Sequence, residues 1–259
     1  MASQSQDGVS LETRRWFEDE RARGRARKAL WASAGITLLL YVIPFGPLIA
    51  YPLTLFSTFV HELGHGLAAL MTGGAFDRLS IFADASGVAH CRPGNQGWAW
   101  GLVSAGGLVG PAVLGAIGFV LSRRAKVARG FLITLAVGLL ACLILFVRNP
   151  FGIVYASLVV LGLGWAAIRG TSGTAQLVAV FMSVQLALSV FSRGDYLFTD
   201  EARTGAGVLP SDTANMATAL GGTYWMWGLA CGAFSILVLA AGMWWFLRGI
   251  SPRPLRKHG

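Results

Sequence analysis

The sequence predicts an all-α polytopic membrane protein with six to seven transmembrane helices and one short β-hairpin, and three observations carry that prediction. Of its 259 residues, 54% are hydrophobic and 13% charged, with a mean hydropathy of +0.60, far from the balance of a soluble domain. Apolar runs near the ~20 residues that a helix needs to cross hydrocarbon recur along the chain. Lys and Arg, which bring the net charge to +9, collect at the ends of those runs and in the N-terminal arm. That is the pattern of membrane orientation, and with no aromatic-interleaved basic face the expected partner is the lipid bilayer and no nucleic acid.

In chain order, residues 1–28 are polar, with Arg14, Arg15, Arg21, Arg23, Arg25, Arg27 and Lys28 set against Asp7, Glu12, Glu18, Asp19 and Glu20. They are expected to form a basic cytoplasmic arm, partly helical at best. The arm and the apolar run behind it are both too long for a signal peptide. An integral membrane domain is expected over 29–249, followed by a basic tail over 250–259.

Seven apolar runs lie at about 29–50, 53–71, 98–121, 130–147, 151–168, 173–191 and 221–247. Pro44, Pro47 and Pro52 make the join between the first two tight, because proline cannot continue a helix without losing a backbone bond. Between the second and third runs the chain changes character. Residues 78–90 alternate in short stretches around a Ser86-Gly87 turn, a hairpin signature, and such a hairpin offers an edge to an extended peptide. A solvated loop is the plainer reading of the same residues.

Seven crossings with the N-terminus inside would leave Arg123, Arg124, Lys126 and Arg129 outside, against the positive-inside rule. If one segment before Arg123 does not cross, eighteen of the twenty-one Lys and Arg fall inside. Six crossings plus one re-entrant piece is therefore the expected topology. Gly101, Gly106, Gly107, Gly110 and Pro111 mark the third run as the exception, since non-helical backbone at membrane depth survives only when buried in protein.

Cys91, Cys142 and Cys231 are widely spaced and odd in number, so neither a disulfide framework nor a Cys-x-x-Cys metal knuckle is available. The chemistry lies in the second run, where His61-Glu62-Leu63-Gly64-His65 forms an H-E-x-x-H pattern inside apolar flanks. On a helix, His61 and His65 share one face a turn apart and can hold one zinc ion, with Glu62 beside them in reach of a metal-bound water. Glu62 is the only acid within a strongly apolar run, where an uncompensated charge costs several kcal/mol. The bland alternative is a polar seam or a proton path.

A zinc hydrolase needs a third protein ligand. Between Ala85 and Gly194 the chain has no acid at all. Besides Asp77, Asp84, His90 and Cys91 around the hairpin, the choices cluster late, at Asp195, Asp200, Glu201 and Asp212. Asp212 has the best context, since Ser211-Asp212-Thr213-Ala214 begins a helical pattern; the same context would suit a capping role with no metal. Asp195, directly after the sixth run, is the alternative.

These residues resemble the site-2-protease-type intramembrane zinc metalloproteases, in particular their compact bacterial and plant branch without an inserted PDZ domain. The resemblance runs through His61–Leu70 and Thr72-Gly73-Gly74, Gly87-Val88, Ser104–Pro111, Arg148-Asn149-Pro150-Phe151-Gly152, Val184–Leu188 and Ser211–Ala214. It implies a protease with Zn2+ as cofactor, His61 and His65 as metal ligands and Glu62 as general base. It also implies a membrane-protein or membrane-peptide substrate cut in a transmembrane or juxtamembrane segment, and a place in the bacterial inner membrane with the N-terminus cytoplasmic.

Better-known members take the third ligand from a Leu-Asp-Gly motif in a later core helix. This chain lacks that tripeptide and offers Asn149 at the comparable place, which leaves Asp212, or else Asp195, to complete the site. Asn149 and Asn215 are candidates to assist at the oxyanion. Two rival readings are a non-catalytic relative that binds membrane helices and a small transporter using His61, Glu62 and His65 as a relay. Small-residue pairs such as Gly162-x-Gly164 can serve contacts within one chain or between two, and no homo-oligomer is indicated.

Overall fold

The structure, a computed structural model, describes residues 11–94, 97–192 and 197–250. Eight helices and two hairpins follow in order among them: α1 (Leu11–Val42), α2 (Gly46–Met71), β1 (Ala75–Ile81), β2 (Gly87–Arg92), α3 (Trp98–Leu121), α4 (Ala125–Leu145) and α5 (Pro150–Ile168). Then come α6 (Ser172–Ser192), β3 (Glu201–Thr204), β4 (Gly207–Pro210), α7 (Asp212–Leu220) and α8 (Tyr224–Ile250). The polytopic helical class and the hairpin after the second helix agree with the sequence expectation. The start of the basic arm and the tail 251–259 lie outside the described residues. What is described of the arm, from Leu11 onward, is helical and continuous with the first apolar run.

By length and composition α3, α4, α5, α6 and α8 can each cross a membrane. Two other long helices fall short for identifiable reasons. Arg25, Arg27 and Lys28 enter the apolar part of α1, and α2 carries Pro52, His61, Glu62 and His65.

The third run is not re-entrant. It forms the unbroken helix α3 with Pro111 inside it, and 56% of its apolar window is buried, more than in the other four. Its glycines serve close packing against neighbouring helices, so they do not break the helix. Proline costs one backbone bond there.

The relative directions of α1 and α2 follow from their contacts with α6 and α3. Thr37 of α1 accepts a hydrogen bond from Gln185 of α6 at 2.5 Å, and Arg25 lies beside Gly173 at the start of α6, so α1 and α6 are parallel. Helix α6 is antiparallel to α3, because Gln176 donates to the Ser122 carbonyl at 2.9 Å while Leu186 packs on Gly115. Helix α2 is antiparallel to α3 as well, with Val60 on Gly110 and Gly64 on Gly106. It follows that α1 and the motif-bearing half of α2 point the same way. The turn between them carries Phe45 at φ 63, and Tyr155 of α5 donates to the Pro52 carbonyl at 2.7 Å.

The basic residues are sorted between two ends of the bundle. Arg21–Lys28, Arg123–Arg129, Arg169 and Arg248 share one end. Arg78, Arg92, Arg148 and Arg203 lie at the other, with both hairpins. The main buried cluster joins Leu55, Phe56 and Phe59 of α2, Phe76, Leu79 and Ile81 of β1, and the facing sides of α4, α5 and α6.

Strands β1 and β2 pair antiparallel from Ala75↔Arg92 to Ile81↔Gly87, with an irregularity between Phe76 and Arg78. The outer edge of β1 is covered. Leu79 donates to the Phe146 carbonyl at 2.8 Å and accepts from the Arg148 amide at 3.2 Å, and the Asn149 side chain takes both polar groups of Ile81, at 3.1 and 2.5 Å. The outer edge of β2 pairs with no other strand among the described residues.

Candidate metal centre

Helix α2 sets His61 and His65 on one face, their ring centroids 4.8 Å apart and their planes at 85°. The two Nε2 atoms are separated by 3.1 Å. Asp212, at the start of α7, brings Oδ2 to 3.1 Å from His61 Nε2 and Oδ1 to 3.4 Å from His65 Nε2. One ligand atom from each of the three residues falls within a mutual 4.8 Å. Two atoms each bound at about 2.0–2.1 Å to a tetrahedral zinc stand about 3.3 Å apart. The observed separations therefore fit such an ion, and the donor set of two imidazoles and one carboxylate is one that zinc accepts.

The capping role on α7 falls to the neighbour of Asp212. Ser211 is the N-cap of α7: its Oγ accepts from the Ala214 amide at 3.1 Å and donates to the Thr199 carbonyl at 2.7 Å. The carboxylate at the first helical position then points across the bundle to α2. Asp195 and His258 lie outside the described residues.

The histidines are held by close helix contact. His65 Nδ1 lies 2.8 Å from the Val103 carbonyl of α3, so Nδ1 carries the proton and Nε2 presents its lone pair toward Asp212 and His61. A side chain at Gly107 would run into the His65 ring, and one at Gly64 would strike the Gly106 carbonyl. Gly66, next to the motif, does not admit a helix: the Phe76 ring of β1 occupies that face, stacked on Phe146 at 4.1 Å.

Glu62 is buried and packs beside β2, where a Cβ on Gly87 would stand 2.6 Å from its Cγ. A cavity of about 400 Å3 opens over the three ligand candidates and Glu62, walled on one side by β2 and on the other by Ala202, Thr204, Leu209 and Pro210 of the second hairpin. Asn215 lines it and Asn149 does not, since the Asn149 amide is spent on Ile81. Of these two asparagines, only Asn215 lines the cavity.

The hairpin side chains considered as ligands serve other ends. Arg92 clamps Asp77 through two bonds of 2.7 and 2.6 Å, and that hydrogen bonding holds the Asp77 carboxyl below the usual carboxylate range. Burial, with the nearby Arg78, depresses the His90 imidazole. Burial pushes the Cys91 thiol up to about 12, helped by the charges of Glu62 and Asp77, so it stays protonated near neutrality. Asp84 caps its own turn by accepting from Ser86.

The second hairpin went unread in the sequence. Its signal was there, in Gly205-Ala206-Gly207 between two short runs, but four-residue strands barely rise above loop composition. Glu201 pairs with Pro210 and Thr204 with Gly207, and the Gly205 amide donates to Ser86 Oγ at 2.9 Å. The two hairpins thus meet at their tips above the cavity.

A family model described as Peptidase M50B-like matches residues 31–242. No curated protein matches the chain, and no solved structure does.

Proposed function

The chain belongs to the Peptidase M50B-like family, and from that premise we propose that it is a zinc-dependent intramembrane endopeptidase that hydrolyses a peptide bond in a transmembrane or juxtamembrane segment. The observation that carries the reading is the convergence of His61, His65 and Asp212 from α2 and α7 on one point at tetrahedral spacing. A zinc ion held there supplies a Lewis acid for the scissile carbonyl and lowers the pKa of bound water toward ~7.

The protein's own groups do the rest. Glu62 takes the proton of the attacking water and returns it to the leaving amine, which balances the hydrolysis. The Val103 carbonyl keeps His65 in the tautomer that offers Nε2. Asn215 lines the cavity where it can donate to the developing oxyanion.

A helical substrate has its carbonyls tied up in its own bonds, so it must be drawn out before attack. The unpaired edge of β2 runs along the cavity wall beside Glu62 and supports pairing with an extended substrate strand. The basic end of the bundle suits the cytoplasmic face, which would set the hairpins and the cavity in the opposite half of the membrane. Metal content tests the reading. Purified protein is expected to carry about one equivalent of zinc and His61→Ala to carry none; an absence of zinc from both would end the proposal.

A further inference from the structure

Helices α3 and α8 run parallel, with Ala116 against Gly242, Phe119 5.7 Å from Phe246, and Arg123 against Gly249. At the first of these contacts a Cβ on Gly242 would sit 2.8 Å from Ala116 Cα. Beside it lies an open cleft of about 450 Å3, lined by Ala116, Ile117, Val120, Leu121, Ala241 and Trp245. The cleft is apolar throughout apart from the indole.

The end of the cleft is strongly basic. Arg123 places its guanidinium 5.7 Å from the centre of the Trp245 ring, and Arg248 lies 3.9 Å over Trp244. Arg123 Nε is buried with no hydrogen-bond partner. Neither arginine pairs with a carboxylate among the described residues, and the sequence offers no acid from Ala85 to Gly194 or after Asp212. Trp244 and Trp245 are each half exposed, as tryptophans at a membrane interface are. Trp245 on the cleft wall thus lies beside the Arg123 guanidinium, with Arg248 on the neighbouring Trp244, and neither arginine pairs with a carboxylate among the described residues.

We propose that this cleft binds one anionic phospholipid, its acyl chain between α3 and α8 and its phosphate on Arg123 and Arg248. No carboxylate among the described residues pairs with either arginine, so an anionic headgroup gains what a zwitterionic one does not, because the choline cation of the latter meets the same arginines. The site is independent of the metal centre, which faces the other end of the bundle.

Native mass spectrometry of the full chain in detergent, offered phosphatidylglycerol and phosphatidylcholine of matched chain length, tests the assignment. One phosphatidylglycerol should be retained in preference to phosphatidylcholine. Arg123→Gln and Arg248→Gln should each cut that preference about fivefold, the worth of one basic residue at an anionic lipid surface. Arg169→Gln, a matching charge change at the same end, should leave it intact. Ala241→Trp, an exposed position on the cleft wall, should abolish retention. Equal retention of the two lipids overturns the proposal, as does an equal loss in Arg169→Gln and Arg123→Gln or undiminished retention in Ala241→Trp. Should Ala241→Trp not fold, the arginine variants decide by themselves.

Discussion

Asp212 Oδ2 stands 3.1 Å from His61 Nε2, a contact between the first turn of α7 and the middle of α2. It makes the carboxylate of a short helix the third member of a site whose other two come from an apolar helix. If that contact builds the metal centre, zinc should depend on all three residues. Elemental analysis of purified protein is expected to find about one equivalent in the wild type and almost none in His61→Ala, His65→Ala or Asp212→Ala. Asp195→Ala should keep its metal; loss there with retention in Asp212→Ala would reverse the assignment.

Glu62 shares the cavity with the ligand candidates but lies outside the three-residue group. Glu62→Gln should therefore hold zinc as the wild type does while cleaving a co-expressed membrane substrate about 10²–10⁴-fold more slowly, the usual worth of a positioned base. Undiminished cleavage would take Glu62 out of the mechanism.

Gly64 and Gly106 let α2 and α3 touch backbone to backbone. Because the obstacle to a Cβ at Gly64 is a carbonyl and cannot swing away, Gly64→Ala should cost about 1–3 kcal/mol and shift His65 relative to Val103. Thermal unfolding in detergent, read beside zinc content, checks both effects. Gly130→Ala, at a position with open space around it, is the control and should unfold like the wild type.

Asn149 binds both polar groups of Ile81 and so docks the closed edge of the hairpin onto the turn before α5. Asn149→Ala leaves those groups without their partner, at a cost of about 1–3 kcal/mol. The expected signature is local: faster amide exchange in 79–92 with zinc retained. Loss of zinc without a change in exchange would mean that Asn149 acts on the metal centre.

The Asp77–Arg92 clamp predicts an acid-sensitive hairpin. Hydrogen bonding from Arg92 depresses the folded-state pKa of Asp77, so the clamp stabilises the hairpin fully above the unfolded value of ~3.9 and is lost as pH falls through the lower folded value. Amide exchange of residues 75–92 should accelerate below about pH 4 in the wild type, and Asp77→Asn should remove that step. An identical acid step in the variant would move the effect to another group.

Composition and hydropathy determined the class of this protein by themselves, because crossing a bilayer is a constraint on length and polarity that local sequence must satisfy. His61, Glu62 and His65 were legible for a related reason, since residues one helical turn apart meet without any help from the rest of the fold. Chain direction was not. The sequence laid the exception to crossing on α3, because glycine and proline look alike in a broken helix and in one packed backbone to backbone; the unbroken α3 and the contact from Gly64 to Gly106 decide between them.

The second hairpin was equally out of reach, and so was which edge of the first stays open, because strand edges are covered or exposed by partners far along the chain. Asp212 could be nominated from its helix start, but two roles suited it there. Only the tertiary structure divides them, giving the cap to Ser211 and turning Asp212 toward the histidines, because which neighbour caps a helix is local whereas what its first carboxylate faces depends on the packing of α7 against α2 and α3.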